Sequence, residues 1–221
     1  MKVAIFDFDG TIYAGETFPL LMKHLKTHPN HRQYYGRFFR RILPRYISYK
    51  LKLLPEGKMR ERSMQIYASN LAPLSTNQLA AFFSEAANKM VSHFNPQVVE
   101  RIHQHHQDGI HIMLVSGAFT TLLKDALQAY PFDCIIGTDI PLDDQGIDVS
   151  KPIYHIQGIR KNKQIEAALQ GMEIDWENSF AYADSLSDLS VLELVGNPVA
   201  VQPDQKLEEI AIQRSWDIIS A

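Results

Sequence analysis

The sequence predicts an α/β fold, a parallel sheet with helices on both faces and a helical insertion after its first strand. Three observations carry this. Short apolar runs bounded by turn signals, the reading of strands buried on both faces, open the chain and recur after residue 110. From residue 93 onward such runs alternate with segments of helical periodicity, the mark of a parallel sheet with crossover helices. Between them, residues 19 to 93 carry no period-2 pattern, and their apolar residues recur in threes and fours.

Val3-Ala-Ile-Phe6 is the first strand, ending in Asp7-Phe-Asp9-Gly10-Thr11. Alternation along a strand sends Asp7 and Asp9 to one side and Phe8 to the other. An Asp-Gly pair after a strand is also a common turn. Ligands bind at the carboxyl ends of such strands, however, and paired acids there suit a hard divalent cation such as magnesium. A short Gly15-containing connection leads to a helix from Pro19, and Pro29, Pro44, Pro55 and Pro73 then fall at intervals suiting helix ends. Pro96 to Gln107 is a helix stopped by Gly109, and Ile110 to Val115 a strand ending in Ser116-Gly117-Ala118. Phe119 to Tyr130 is helical, Asp133 to Ile136 a strand, and Asp143-Asp-Gln-Gly146 a hairpin turn. Residues 161 to 171 form a helix, Ser179 to Ala183 a strand ending in Asp184, and Asp188 to Val195 a helix. Pro198 to Val201 is the last strand, and Gln205 to Arg214 the last helix.

The 221 residues suffice for one generous domain or a core carrying a smaller inserted one. A formal charge of −3 gives no reason to expect a nucleic-acid partner. A single cysteine, Cys134, excludes an intramolecular disulfide and any multi-cysteine metal site. With no basic-then-apolar leader and no apolar run long enough to cross a bilayer, a cytoplasmic protein is expected.

In a parallel sheet Asp7, Asp9, Ser116, Asp184 and Asp188 converge on one edge. The basic stretch Arg160-Lys161-Asn162-Lys163 opens a helix before Asp184. Phosphoryl transfer through an aspartate requires such a set: an attacking carboxylate, a cation and metal to neutralise charge, a second carboxylate to move protons, and a hydroxyl with backbone amides to hold phosphate.

In four motifs, in order, the chain resembles the haloacid dehalogenase superfamily of phosphohydrolases, in the subfamily IB that includes phosphoserine phosphatase. They are Asp7-Phe-Asp9-Gly-Thr11, Val115-Ser116-Gly117-Ala118, Gly158-Ile-Arg-Lys161 and Ala183-Asp184-Ser-Leu-Ser187-Asp188. The resemblance implies a Rossmann-like core over residues 1–15 and 93–221 with a C1-type helical cap over 16–92. It implies Asp7 as nucleophile, Asp9 as general acid then base, and Lys161 as the charge-neutralising lysine, with Lys163 the alternative. Ser116, Gly117, Thr11, Glu16 and Ser187 would meet phosphate or substrate. Magnesium would be held by the Asp7 carboxylate, the Asp9 carbonyl and Asp184, with Asp188 in support. The expected activity is hydrolysis of a small phosphorylated metabolite. Transfer to a non-water acceptor, phosphoserine phosphatase proper and a binding protein with a basic cap are the alternatives. Ser187 stands where phosphoserine phosphatases have asparagine, and Ala118 where they have a second glycine.

Residues 32 to 62 carry ten Arg and Lys against Glu56 and Glu61, with tyrosines and phenylalanines interleaved. A solvated basic face over an aromatic core is the plainer reading. Contact with an anionic substrate or an acidic membrane surface is the sharper one. His103, His105, His106 and His111 do not share a helix face, so surface and packing roles are expected of them rather than metal binding. Cys134 is expected to fill core.

Overall fold

The structure, a computed structural model, describes residues 1–144 and 146–220. Its sheet has six parallel strands: β1 (Val3–Phe6), β2 (His111–Phe119), β3 (Cys134–Thr138), β6 (Phe180–Ala183), β7 (Asn197–Val201) and β8 (Asp217–Ile219). The two-residue strands β4 (Leu142–Asp143) and β5 (Gly146–Ile147) form a separate antiparallel pair. The sheet order is β3-β2-β1-β6-β7-β8. The chain steps one way from β1 to β3, then crosses β1 and steps the other way. The crevice between the carboxyl ends of β1 and β6 is therefore the switch point where ligands bind in open α/β sheets.

Strand alternation divides the core between the two faces. Val3 and Ile5 with Met113, Val115, Ala181 and Ala183 face α7 (Ile159–Ala168), α8 (Leu189–Leu192) and α9 (Gln205–Gln213). Ala4 and Phe6 with Ile112, Leu114 and Tyr182 face α5 (Pro96–Gln107) and α6 (Thr120–Ala126). All four β1 side chains are fully enclosed, each large one worth about 1.5–3 kcal/mol of burial. Helix starts follow their sequences. The Asn95 side chain accepts from the Gln97 and Val98 amides, with Pro96 in the first turn, and Asp204 caps α9 in the same way.

Four helices fill the stretch between β1 and α5: α1 (Thr17–Thr27), α2 (Arg32–Lys50), α3 (Glu56–Leu71) and α4 (Thr76–Asn88). Their interior continues the α5–α6 side of the core. Tyr67 of α3 and Phe83 of α4 place their rings 6.1 and 5.8 Å from that of Phe119 at the end of β2. Three polar contacts tie α3 to α7 and the segment before it. The Ile153 amide donates to Gln65 Oε1 (2.6 Å), Gln157 Nε2 to the Gly57 carbonyl (2.9 Å), and Arg160 pairs with Glu61 (2.8 Å).

The sheet and its helices bear out the predicted class, while several boundaries differ. Strand β2 runs through Phe119, so α6 is shorter than the predicted 119–130 helix. Helix α7 starts at Ile159 and ends at Ala168, with Gly171 left in the following turn at φ +80°. The predicted 188–195 helix is a 3₁₀ turn, Leu186–Asp188, followed by the single turn of α8. Strand β8 was not foreseen, because Asp217 and Ile218 are exposed and only Ile219 is buried, leaving no periodic signal. The predicted hairpin lies between β4 and β5, but its Gln145 falls outside the described residues. No helix among the described residues is long and apolar enough to cross a membrane.

Candidate active site

The carboxyl ends of β1, β2 and β6 gather the acids predicted to act together. Lys161, in the first turn of α7, is enclosed and sends Nζ to Asp7 Oδ1 at 2.7 Å and to Asp188 Oδ1 at 2.6 Å. Lys163 is exposed on the outer side of the same helix. Of the two alternatives, only Lys161 reaches Asp7. Oxygens of Asp7, Asp184 and Asp188 lie within 4.8 Å of one another, and hard carboxylate oxygens so spaced suit a divalent cation such as magnesium.

Charge balance in the pocket points the same way. One ammonium faces three carboxylates, Asp188 buried and Asp7 and Asp184 partly buried. Burial, offset by Lys161 and augmented by Asp188, raises Asp7 to about 6. Burial and then Asp7 raise Asp184 to about 7. For Lys161, burial lowers the pKa, but Asp7 and Asp188 more than offset it and hold the ammonium charged. The acids are thus short of positive charge, a deficit that a divalent cation would fill.

Asp9 is turned elsewhere. Its Oδ2 accepts from the Thr17 hydroxyl (2.8 Å) and Oδ1 from the Thr17 amide (3.1 Å), at the N-terminus of α1. Those bonds favour the carboxylate, but burial and the nearby Asp7 outweigh them and raise its pKa to about 8. At neutral pH the group holds a proton to give. Phe8, between the two acids, points away into a cluster with Tyr13 and Phe94.

Gly10 makes this turn possible. Its φ is +71°, and a Cβ there would lie 2.2 Å from Asp184 Oδ2, so any side chain would displace a candidate metal ligand. Ser116 is buried where the register of β2 shifts after Val115, its Oγ accepting from the Ala118 amide at 3.2 Å. A Cβ on Gly117 would meet His155 Nε2 at 2.9 Å and the Ile156 carbonyl at 3.1 Å. Thr11 is fully buried, with no partner for its hydroxyl. Glu16 precedes α1 and is exposed. Ser187 is exposed too, its Oγ 2.8 Å from that of Ser185 and 3.5 Å from Asp188 Oδ2.

Four supporting residues were not singled out from the sequence. Thr17 holds Asp9. Thr138 donates to the Gly117 carbonyl (2.8 Å) and accepts from the Ile156 amide (3.1 Å), tying the Ser116-Gly117 segment to the stretch before Lys161. Asp204 accepts from the Leu186 amide while its own amide donates to the Asp184 carbonyl, bracing the fourth motif. Asn162 exchanges two hydrogen bonds with Ser190. A threonine opening a helix and an aspartate preceding one are readable as caps, the signal available for Thr17 and Asp204.

His105 is buried, with Nε2 2.8 Å from the Tyr182 hydroxyl, while His111 lies beside Asp133 and His103 against Tyr130. These are packing and surface roles. The histidines that do cluster are His24 and His28, beside Glu85. Both Nδ1 atoms there face donors, Lys89 Nζ and the Asn30 amide, so each neutral ring carries its proton on Nε2, the atom a metal would need.

The fold, the switch-point crevice and its acids define a hydrolase architecture. A model of the haloacid dehalogenase-like hydrolases matches residues 4–193, and the chain belongs to that family. The resemblance read from the four motifs is thereby borne out. Among curated relatives, the inhibition of morphological differentiation protein of Streptomyces azureus is 29% identical over 118 residues, 53% of this chain and 43% of that protein. The chain thus spans less than half of that relative. A histidinol-phosphatase of Neisseria meningitidis is 25% identical over 162 residues, 71% of this chain and 73% of its own. Among solved structures, a Bordetella pertussis protein of unknown function superposes with a TM-score of 0.81 at 22% identity, covering 99% of this chain and 98% of that one. A substrate-bound phosphoserine phosphatase superposes at 0.63 and 19% identity, covering 100% and 93%. These structural likenesses concern the fold.

Proposed function

We propose that the chain is a magnesium-dependent phosphatase that hydrolyses a small phosphate monoester through an aspartyl-phosphate on Asp7. The observation that carries this reading is the enclosed Asp7–Lys161–Asp188 chain at the switch point, with Asp9 held separately by Thr17 beside it. Ser116 and Gly117 hold the phosphate at the register shift of β2, and Lys161 keeps the phosphate anion and Asp7 from repelling each other. An Asp7 oxygen attacks phosphorus as the ester P–O bond breaks, and the leaving alkoxide takes the Asp9 proton. Asp9, now a carboxylate, removes a proton from water as that water attacks the phosphorus of the acyl phosphate. The P–O bond to Asp7 breaks, releasing inorganic phosphate and regenerating both acids. Magnesium, held by the Asp7 carboxylate, the Asp9 carbonyl, Asp184 and, in support, Asp188, would add Lewis-acid charge at the phosphate oxygens.

In this reading residues 16–92 act as a cap over a core of residues 1–15 and 93–221, shedding water from the site and choosing the leaving group. The histidinol-phosphatase name of one relative and the phosphoserine phosphatase neighbours favour a small phosphorylated metabolite, with water as the acceptor. Glu16 and Ser187, both exposed near the site, are the side chains through which substrate choice would be exercised. The test is Asp7→Asn assayed with an aryl phosphate and magnesium. The rate should fall by at least about a thousandfold, as for loss of a covalent nucleophile. An unchanged rate would overturn the assignment.

A further inference from the structure

We infer that helix α2 and the turn after it form a docking face for an anionic membrane surface. Exposed apolar side chains collect on this part of the surface. Among the described residues fifteen large hydrophobics are exposed, and six of them lie within residues 39–53: Phe39, Leu43, Tyr46, Ile47, Leu51 and Leu53. Phe39, Leu43, Tyr46 and Ile47 recur at helical spacing, forming one stripe along α2. The interior of the helical layer is served by a different stripe, Tyr34, Phe38 and Ile42. The outer stripe is therefore surplus to folding. Leu51 and Leu53 extend it, at 64% and 75% exposure. Between them Lys52 sits at φ +59°, in the left-handed region, closing the helix with bonds from the Lys52 amide to the Tyr49 carbonyl and the Leu53 amide to the Ser48 carbonyl.

Charge identifies the occupant. Helix α2 carries Arg32, Arg37, Arg40, Arg41, Arg45 and Lys50 and no acid. Because the chain totals −3, everything outside this helix is net −9. No carboxylate among the described residues pairs with any of the six. A second copy docking through the same face about a two-fold axis would set these cations against each other. An anionic lipid surface meets both features at once, since apolar side chains enter the headgroup–acyl boundary and long cationic ones reach the headgroups. Such contact is peripheral, with α2 lying at the headgroup level. The acidic remainder of the molecule orients it with α2 toward the lipid. The face ends beside the catalytic crevice, because Gly57, four residues after Leu53, contacts Gln157, and Glu61 pairs with Arg160 next to Lys161.

The test is co-sedimentation of the full chain with vesicles of phosphatidylcholine containing phosphatidylglycerol, against phosphatidylcholine alone, at low and high salt. Binding should require the anionic lipid and fall steeply with salt. The double variant Leu43→Gln/Leu53→Gln should weaken it by about tenfold or more, and Arg40→Gln/Lys50→Gln by a similar factor. All four side chains are on the surface, so circular dichroism and hydrolysis of a soluble aryl phosphate should stay at wild-type values. Absence of binding to anionic vesicles would overturn the inference. So would binding that the leucine variant leaves intact, or equal binding to soluble polyglutamate, which would make the partner an acidic polymer. A concentration-dependent dimer abolished by the leucine variant would assign the face to a second copy instead.

Discussion

Replacing Lys161 by Met keeps the apolar stem of the side chain and removes the one ammonium that faces Asp7, Asp184 and Asp188. Lys161 and its two partners, Asp7 and Asp188, have side chains no more than 11% exposed. Breaking a buried pair by deleting one member costs about 3–5 kcal/mol, because the charge left behind stays desolvated. Here two carboxylates are left, each also facing the other. The sign with pH follows from Asp7. Its folded pKa, about 6, lies above its usual value of 3.8, so its ionised form is already disfavoured in the native state, and the lysine limits that cost. Without the lysine the native carboxyls take up protons more readily, so the defect is full above pH 7 and shrinks as protonation neutralises them toward pH 5. Urea unfolding of both proteins in EDTA, followed by far-ultraviolet circular dichroism, should give a difference of about 3–5 kcal/mol at pH 8 and less than about half of that at pH 5. A difference below about 1 kcal/mol, or one independent of pH, would refute the buried network. Hydrolysis by the variant should also fall by at least about a hundredfold.

Gly10→Ala should lower stability by about 2 kcal/mol or more and weaken magnesium binding measured by calorimetry, since its Cβ falls 2.2 Å from Asp184 Oδ2 at φ +71°; an unaltered affinity would contradict the tight Gly10–Asp184 contact. His105 is buried and lowered to about 4, by burial first and then by Arg101, so in the wild type its neutral ring supports the fold above about pH 6.5 and that support is lost as pH falls toward 4. His105→Asn should therefore be less stable than wild type at pH 7.5 by about 1–3 kcal/mol, with the gap closing by up to about 1.4 kcal/mol per pH unit below 6.5; parallel urea curves at pH 7.5 and 5 would contradict this.

What could be read from the chain divides along physical lines. Strands enclosed on both faces, such as Val3–Phe6, announce themselves as unbroken apolar runs, and acids at their ends stand out against them. The edge strand Asp217–Ile219, with one buried residue, leaves no such trace. The acids and Lys161 that the structure gathers could be named from the sequence because the four motifs that carry them resemble, in order, those of the family to which the chain belongs. Its place in the Gly158-Ile-Arg-Lys161 motif favours Lys161 over Lys163, and the rotation of α7 does turn Lys161 inward onto Asp7 while Lys163 stays exposed. Thr17 was missed as a partner of Asp9 because the contact depends on how α1 returns to the strand end. The basic character of residues 32–62 was plain from composition, whereas the outward apolar stripe of α2 appears only once packing shows which stripe the interior uses.

A covalent bond between phosphate and Asp7 is the central step of the proposed reaction. Acid-quenched turnover of a phosphate monoester with magnesium, followed by peptide mass spectrometry, should find phosphate on the peptide carrying residues 3–11, located at Asp7 and absent from Asp7→Asn. Rapid turnover with no adduct at any time point, or an adduct on a different residue, would contradict it.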